Sequence, residues 1–543
     1  MKPIIEVARS LGIDPAELEP YGHYKAKLSL AAFKDRPRRG KLVLVSAITP
    51  TPAGEGKTTT TVGIVQGLAK IGVRSAAALR EPSLGPVFGT KGGGAGGGAS
   101  EVLPMMDINM HFNGDFHAVS SAHNLLAALV DNSLQNGTGA GLDPRRVTWK
   151  RVMDMNDRAL RDIVIGLGGR TEGIPRETGF DITAASEVMA ILCLANDITD
   201  LKARLGRIVV GYTADGTPVT ARSLNAVGAM AALLSQAIKP NLVQTTEGVP
   251  AFIHGGPFAN IAHGTNSVNA TRAALAYADI VVTEAGFAFE LGAEKFFNIN
   301  CRYGGFAPAC TVLVATIRAL KMHGGKPLAD VGRPDVEAMI RGLSNLEKHL
   351  ENIRKFGQPC VVAINQFTDD TEEEIAALKR HCATLGVTAV AARPFGEGGP
   401  GCVELAEVVR DLAARSEPQF TPLYDWDDPI EKKIAAIARE MYGAHAVDYT
   451  ARGRRDLEQL ERTGFGKLPV CIAKTQQSLS DNPALLGRPK DFLVTVREIQ
   501  LAAGAGFVIP ITGEIMRMPG LPKVPMAGGF DLTEDGEITF RRL

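Results

Sequence analysis

The residues best placed to do chemistry stand together in Thr51-Pro-Ala-Gly-Glu-Gly-Lys-Thr58. Gly54 and Gly56 let successive backbone N–H groups converge on one anion, Lys57 can neutralise terminal phosphates, and the Thr58 hydroxyl suits a Mg2+ ligand. That chemistry is the binding of a nucleoside triphosphate, with Thr51, Pro52, Ala53 and Glu55 completing the loop. Thr51 stands where a strict G-x-x-x-x-G-K-[ST] loop has its first glycine, and Pro52 stands where the SIMIBI-type variant carries a second lysine.

Further groups follow along the chain. In Leu79-Arg-Glu-Pro-Ser-Leu-Gly-Pro86, Arg80 can clamp a small carboxylate or an acyl phosphate bidentately, with Glu81 beside it. Lys91-Gly-Gly-Gly-Ala-Gly-Gly-Gly98 reads either as a flexible linker or as a mobile loop beside the nucleotide. His111, His117 and His123, with Asp107 and Asp115, fall in one apparent loop, either as satisfied polar residues or for acid–base or anion-orienting work. Histidines spaced as His111 and His117 do not share a helix face, which disfavours a metal pair. His254, Gly255, Gly256 and Asn260 open a glycine turn that either starts a helix or receives a purine edge closely. Gly286 and Phe287 end another strand-like run. Phe367 and Phe395 each follow a strand candidate, and are either core residues or the two faces of a sandwich for a planar heterocycle.

Something must hold these groups at one place. The β-branched runs Leu42 to Ile48, Ser75 to Leu79, Leu242 to Thr245, Ile280 to Thr283, Thr311 to Ala315, Cys360 to Ile364 and Val387 to Ala391 alternate with helical patterns. Such alternation predicts an α/β fold: a P-loop nucleotide-binding domain with a mostly parallel sheet, its ligand at the carboxyl ends of the strands. Ser344 with Glu347 and Thr371 with Glu374 have capping-box spacing, and Arg341 to Gly357 reads as an exposed, charged helix opening a second unit. A cluster of aromatics, prolines and aspartates from Gln419 to Pro429 reads as another boundary region. The expected division is 1–340 for ATP, 341–455 for a second α/β unit contributing to the acceptor site, and 456–543 for a small C-terminal α/β unit.

The bulk properties narrow the partners. A chain of 543 residues is too long for one core. Lys plus Arg and Asp plus Glu both number 59, so no global field favours nucleic acid or an anionic membrane. The 7 cysteines form no C-x-x-C pair and read as reduced thiols of a cytoplasmic protein. Neither a signal peptide nor a membrane span is expected.

The chain resembles the formate–tetrahydrofolate ligase family, nearly from end to end. The likeness is carried by Tyr21-Gly-His-Tyr-Lys-Ala-Lys27, Thr49-Pro-Thr-Pro-Ala-Gly-Glu-Gly-Lys-Thr58, Arg80-Glu-Pro-Ser-Leu-Gly-Pro86, His254-Gly-Gly-Pro-Phe-Ala-Asn-Ile-Ala-His263, Leu291-Gly-Ala-Glu-Lys-Phe296 and Met518-Pro-Gly-Leu-Pro-Lys523. The resemblance implies ATP-dependent joining of formate to N10 of tetrahydrofolate through formyl phosphate. It implies roles for Lys57, for Arg80, and for Asp115 with His111 or His117. It implies a pterin held by Phe367 and Phe395 beside Gly286 and Phe287, a monovalent cation (potassium or ammonium) near Glu81, and a homotetramer.

Departures from the family pattern are Phe395 for tryptophan, Thr368 for proline, Gln477 for tyrosine and the run Ala288-Phe289-Glu290, expected to alter the pterin wall. Competing expectations are a carboxylate ligase with another amine acceptor, and a SIMIBI-type switch ATPase acting on a protein partner.

Overall fold

The computed structural model describes residues 1–138 and 141–541. Every predicted strand is present, and all belong to one 12-stranded sheet. Its order is Leu18–Pro20, Ala26–Leu28, Asn241–Thr245, Pro250–Ile253, Ser75–Leu79, Ile280–Glu284, Lys41–Ala47, Pro308–Ala315, Cys360–Asn365 and Thr388–Ala392, with Gly96–Gly97 and Ser100–Leu103 attached beside Asn241–Thr245. From Pro250–Ile253 onward every neighbouring pair is parallel. These strands read as continuous apolar runs because helices cover both faces.

Two features depart from the simple alternation. Asn241–Thr245 runs antiparallel to Pro250–Ile253, a strand the sequence reading did not separate. The turn between them is closed by Gly248 at φ +75 and is too short for a crossover, so the pair must be a hairpin.

The expected unit boundaries also fall inside helices. Residue 341 lies within Val336–Lys355, and the sheet continues past it because Pro308–Ala315 pairs with Cys360–Asn365. Residue 455 lies within Ala451–Arg462, while Ala446–Tyr449 pairs with Leu493–Ala502 across it. The irregular stretch over 416–429, which the composition had marked, separates the last strand of the large sheet from that smaller sheet. Between residues 142 and 220 the chain builds small sheets of two and three strands as an excursion from the main sheet.

Val336–Lys355 is capped by the Asp335 side chain, so Ser344 and Glu347 are not a capping box but sit mid-helix. The helix is not an exposed one either, since Asn345, Lys348, His349 and Asn352 are buried on its inner face. The Thr371–Glu374 box is present in full. All seven cysteines are free. Among the described residues no helix is long and apolar enough to cross a membrane.

Candidate active site

The strand order brings the candidate motifs together at one end of the strands. Lys41–Ala47 delivers the glycine loop; its neighbours end in Glu284 and Thr316; Ser75–Leu79 ends in Arg80; Pro250–Ile253 ends in His254; and Cys360–Asn365 and Thr388–Ala392 lead to Phe367 and Phe395. All lie at the carboxyl ends of parallel strands, where open α/β sheets place their ligands.

The loop is held by its own glutamate. Glu55 is buried; its Oε1 accepts from the Thr51 N–H at 2.7 Å, its Oε2 accepts from the Thr316 hydroxyl, and its carbonyl accepts from Asn365 Nδ2 at 3.1 Å. Thr51, in place of the usual glycine, is therefore pinned by a side chain within the loop. Gly56 adopts φ +73 and starts the helix Lys57–Lys70. That helix lies close to its neighbour: a Cβ on Gly63 would come within 2.7 Å of Cys402 Sγ.

Thr49, just before the loop, has each polar atom engaged. Its N–H donates to Asn345 Oδ1 at 3.2 Å, its hydroxyl meets Asn345 Nδ2 at 2.9 Å and His349 Nε2 at 3.1 Å, and its carbonyl accepts from His323 Nε2 at 2.8 Å. Asn345 and His323 also hold the backbone of Gly487, from the smaller sheet's side of the chain.

Lys57 is half-buried, and its ammonium has no hydrogen-bond partner among the described residues. Desolvation lowers it to about 8, against the opposing field of Glu284, with Lys91 and Arg80 lowering it further. The Thr58 hydroxyl is 2.9 and 3.1 Å from the two oxygens of buried Glu284. Across the site Arg80 donates to the Pro257 carbonyl at 3.1 Å and keeps a buried Nε without a partner. A Cβ on Gly286 would stand 3.1 Å from the Arg80 guanidinium, so the glycine leaves that group its place. Phe287 takes the left-handed φ +57 and stays partly exposed beside it.

Some expected residues prove to be internal. His254 is fully buried with Nδ1 on the Ser267 hydroxyl at 2.6 Å and Nε2 on the Ala237 carbonyl, leaving no ring nitrogen for a ligand. Burial takes its imidazole down to about 4, so it is neutral. It fixes the turn in which Gly255, at φ +66, passes Cys193, and Gly256 passes the Glu81 carbonyl; neither place admits a side chain. Asn260 presents a buried, unpartnered Oδ1. Lys295 ties the same turn by donating to the Ala262 carbonyl at 3.3 Å.

The supposed histidine loop is mostly helix, Asp115–Asn136. His123 is inside, stacked on Trp149 at 4.1 Å, while His111 and His117 are exposed. Among the described residues neither makes a hydrogen bond to Asp115. Asp115 is instead engaged by Lys27 at 2.8 Å and by Asn241 Nδ2 at 2.7 Å. Burial, and then the neighbouring Asp115, hold the Glu81 carboxyl well above its usual range. Its Oε2 has no partner.

Phe395 is 64 % exposed, and a Cβ on Gly97 would lie 3.3 Å from its ring. Phe367 is half-buried with the Arg318 guanidinium over one face at 4.2 Å. The departures at Ala288, Phe289 and Glu290 are not part of any wall, because all three are buried. Phe289 packs against Phe297 and Phe356, and Glu290 lies 3.6 Å from His349 and 3.7 Å from Lys474. The sequence reading passed over Glu284 within Thr283-Glu-Ala-Gly-Phe287 without giving it a role: a lone glutamate at a strand end has no spacing signal, and only the pairing of its strand with Lys41–Ala47 reveals it.

The arrangement provides an uncommitted ammonium and a guanidinium with a free Nε beside a carboxylate–hydroxyl pair, which suits a polyphosphate and a small carboxylate together. Residues 1–540 match a family model described as Formate–tetrahydrofolate ligase.

Proposed function

The chain belongs to the formate–tetrahydrofolate ligase family, ATP-dependent ligases of formate and tetrahydrofolate, and from that premise we propose that it works through an enzyme-bound formyl phosphate at the site just described. A formate oxygen attacks the γ-phosphorus of ATP as the bond to the ADP oxygen breaks. N10 of tetrahydrofolate then attacks the formyl carbon, phosphate leaves, and the amine loses its proton. Formate needs this route because its own oxygen is a poor leaving group and phosphate is a good one.

The observation that carries the reading is the placement of Lys57 and Arg80 around Glu284 and the Thr58 hydroxyl at the carboxyl ends of adjacent central strands. Lys57 neutralises the transferring phosphoryl group, and Arg80 holds formate and then its phosphate anhydride. The oxygens of Thr58 and Glu284 fit a Mg2+ ion that keeps its remaining places for water and phosphate; bound there, it would neutralise phosphate charge. For potassium or ammonium the fit is poorer. Glu81 offers one free oxygen, and both Asp115 oxygens are engaged by Lys27 and Asn241, so no step is assigned to such an ion.

Phe395 and Phe367 supply stacking faces for the pterin, one from each, since Arg318 already covers a face of Phe367. Asp115 contributes indirectly, through its field on Glu81, the residue that follows Arg80.

The test is turnover with ATP, formate and tetrahydrofolate, each omitted in turn, using 18O-labelled formate. Product that requires all three, with label passing into inorganic phosphate, is expected. ATP hydrolysis indifferent to formate and folate would overturn the reading, and label retained wholly in the formyl group would overturn the intermediate.

A further inference from the structure

The glycine tract after Lys91 lies between two parts of the molecule. On one side a Cβ on Gly97 would sit 3.8 Å from the Thr59 hydroxyl, and one on Gly94 would sit 2.9 Å from Pro82. The tract therefore runs between the phosphate-loop helix and the segment that follows Arg80. On the other side the turn Val87–Lys91 is covered by a C-terminal hairpin, Phe530–Leu532 paired antiparallel with Ile538–Phe540. Phe530 packs between Phe88 at 4.9 Å and Phe540 at 4.5 Å. The Phe540 ring fills the space over Gly92 that any side chain would need. Gly92 itself adopts φ +72, and its N–H closes the turn on the Val87 carbonyl at 3.0 Å.

A two-stranded hairpin alone is marginal in water. Leu532 is 65 % exposed and Ile538 is exposed too, so neither anchors this one. Its fixed contacts are aromatic, and they fall on the turn that ends in Lys91. The hairpin is brought there by a strap along which the Arg517 guanidinium meets Asp181 at 2.7 Å and the Met518 carbonyl accepts from Arg161 Nε at 2.9 Å.

We infer that Lys91 is a further phosphate-facing cation of the ligase reaction and that the C-terminal hairpin, through Phe540 and Phe530, is the element that positions it. The inference rests on the formyl phosphate site proposed above. Lys91 is exposed and opens the tract that packs on Pro82 and passes the Thr59 hydroxyl, and the opposing fields of Arg80 and Glu284 both reach its ammonium. Its ammonium has no hydrogen-bond partner among the described residues, so it is free to meet an anion. Phe530 and Phe540 act through the turn that carries Lys91 and are positioning residues.

The experiment is a double-mutant cycle on the full-length chain with Lys91→Met, Phe540→Ala, the two combined, and Phe540→Leu. Lys91→Met is expected to lower kcat/KM for ATP about 100-fold, and Phe540→Ala about 10-fold or more by misplacing the ammonium. The combined variant should be no worse than Lys91→Met alone, because both changes remove one effect. Phe540→Leu should restore most of the loss. Activity within twofold of the parent in Lys91→Met, or losses that multiply in the combined variant, would overturn the inference. If Phe540→Ala lowers the Tm so far that it cannot be assayed, Phe530→Leu takes its place in the cycle.

Binding of a fluorescent ATP analogue separates this from the preceding section. Were the parent chain to consume no formate, the ligase reading would fall. Weakened binding in both single variants would still support the positioning of Lys91, and unaltered binding would overturn it.

Discussion

Lys57 sits in the free protein with its ammonium lowered to about 8 by desolvation. A triphosphate demands the charged form, so binding must take up a proton whenever the solution is near or above that pH. The KM for ATP is accordingly expected to rise as pH passes upward through about 8. In Lys57→Arg the guanidinium stays charged, and any residual activity should lose that alkaline limb; a limb unchanged in the variant would point to another group. Phe395→Ala should raise the KM for tetrahydrofolate more than that for ATP, since the exposed ring is placed to stack and the loop beneath it is backbone. Equal effects on both would make Phe395 a structural residue. At this scale the sequence, by side-chain type and spacing, singled out Lys57, Thr58 and Arg80, which the fold brings to neighbouring strand ends. It was silent on Glu284, whose meaning depends on which strand lies beside it. It misled on His254, because a motif does not show whether a ring faces a ligand or the interior.

The elements that carry these residues are set by local signals reinforced from a distance. Thr371 and Glu374 cap Glu372–Thr384, but Glu374 also receives fully buried Lys321 at 3.0 Å and the Asp335 N–H at 2.9 Å. Thr371→Ala should cost about 1 kcal/mol in urea unfolding, the usual worth of a cap. Glu374→Ala should cost roughly 3–5 kcal/mol, because it strands a buried ammonium. Replacing both partners, as Lys321→Met with Glu374→Leu, should recover much of that loss, and a double variant as unstable as Glu374→Ala would show that the charge is not the cause. The cap was readable because its spacing is local. The similar Ser344–Glu347 pattern was not a cap, since the same spacing arises inside an amphipathic helix, and Asp335 upstream takes the role.

Across the whole molecule the sheet ignores the boundary that composition suggested at residue 341. All of Pro308–Ala315 is buried, and one of its two neighbours is Cys360–Asn365 from beyond that point. A chain of residues 1–340 would expose that edge and is expected to aggregate rather than bind ATP; a soluble, ATP-binding fragment in ultracentrifugation and calorimetry would contradict this. Strand positions were legible from β-branched runs, whereas the order of strands was not, because adjacency depends on contacts remote in sequence. That remoteness governs when the phosphate loop can exist. Thr49, made early on the ribosome, is gripped by His323, Asn345 and His349, and Glu55 by Thr316 and Asn365. At roughly 5–20 residues per second, the nascent loop waits tens of seconds for those partners, and for that interval its apolar strand is exposed to mispairing before it is part of an enzyme.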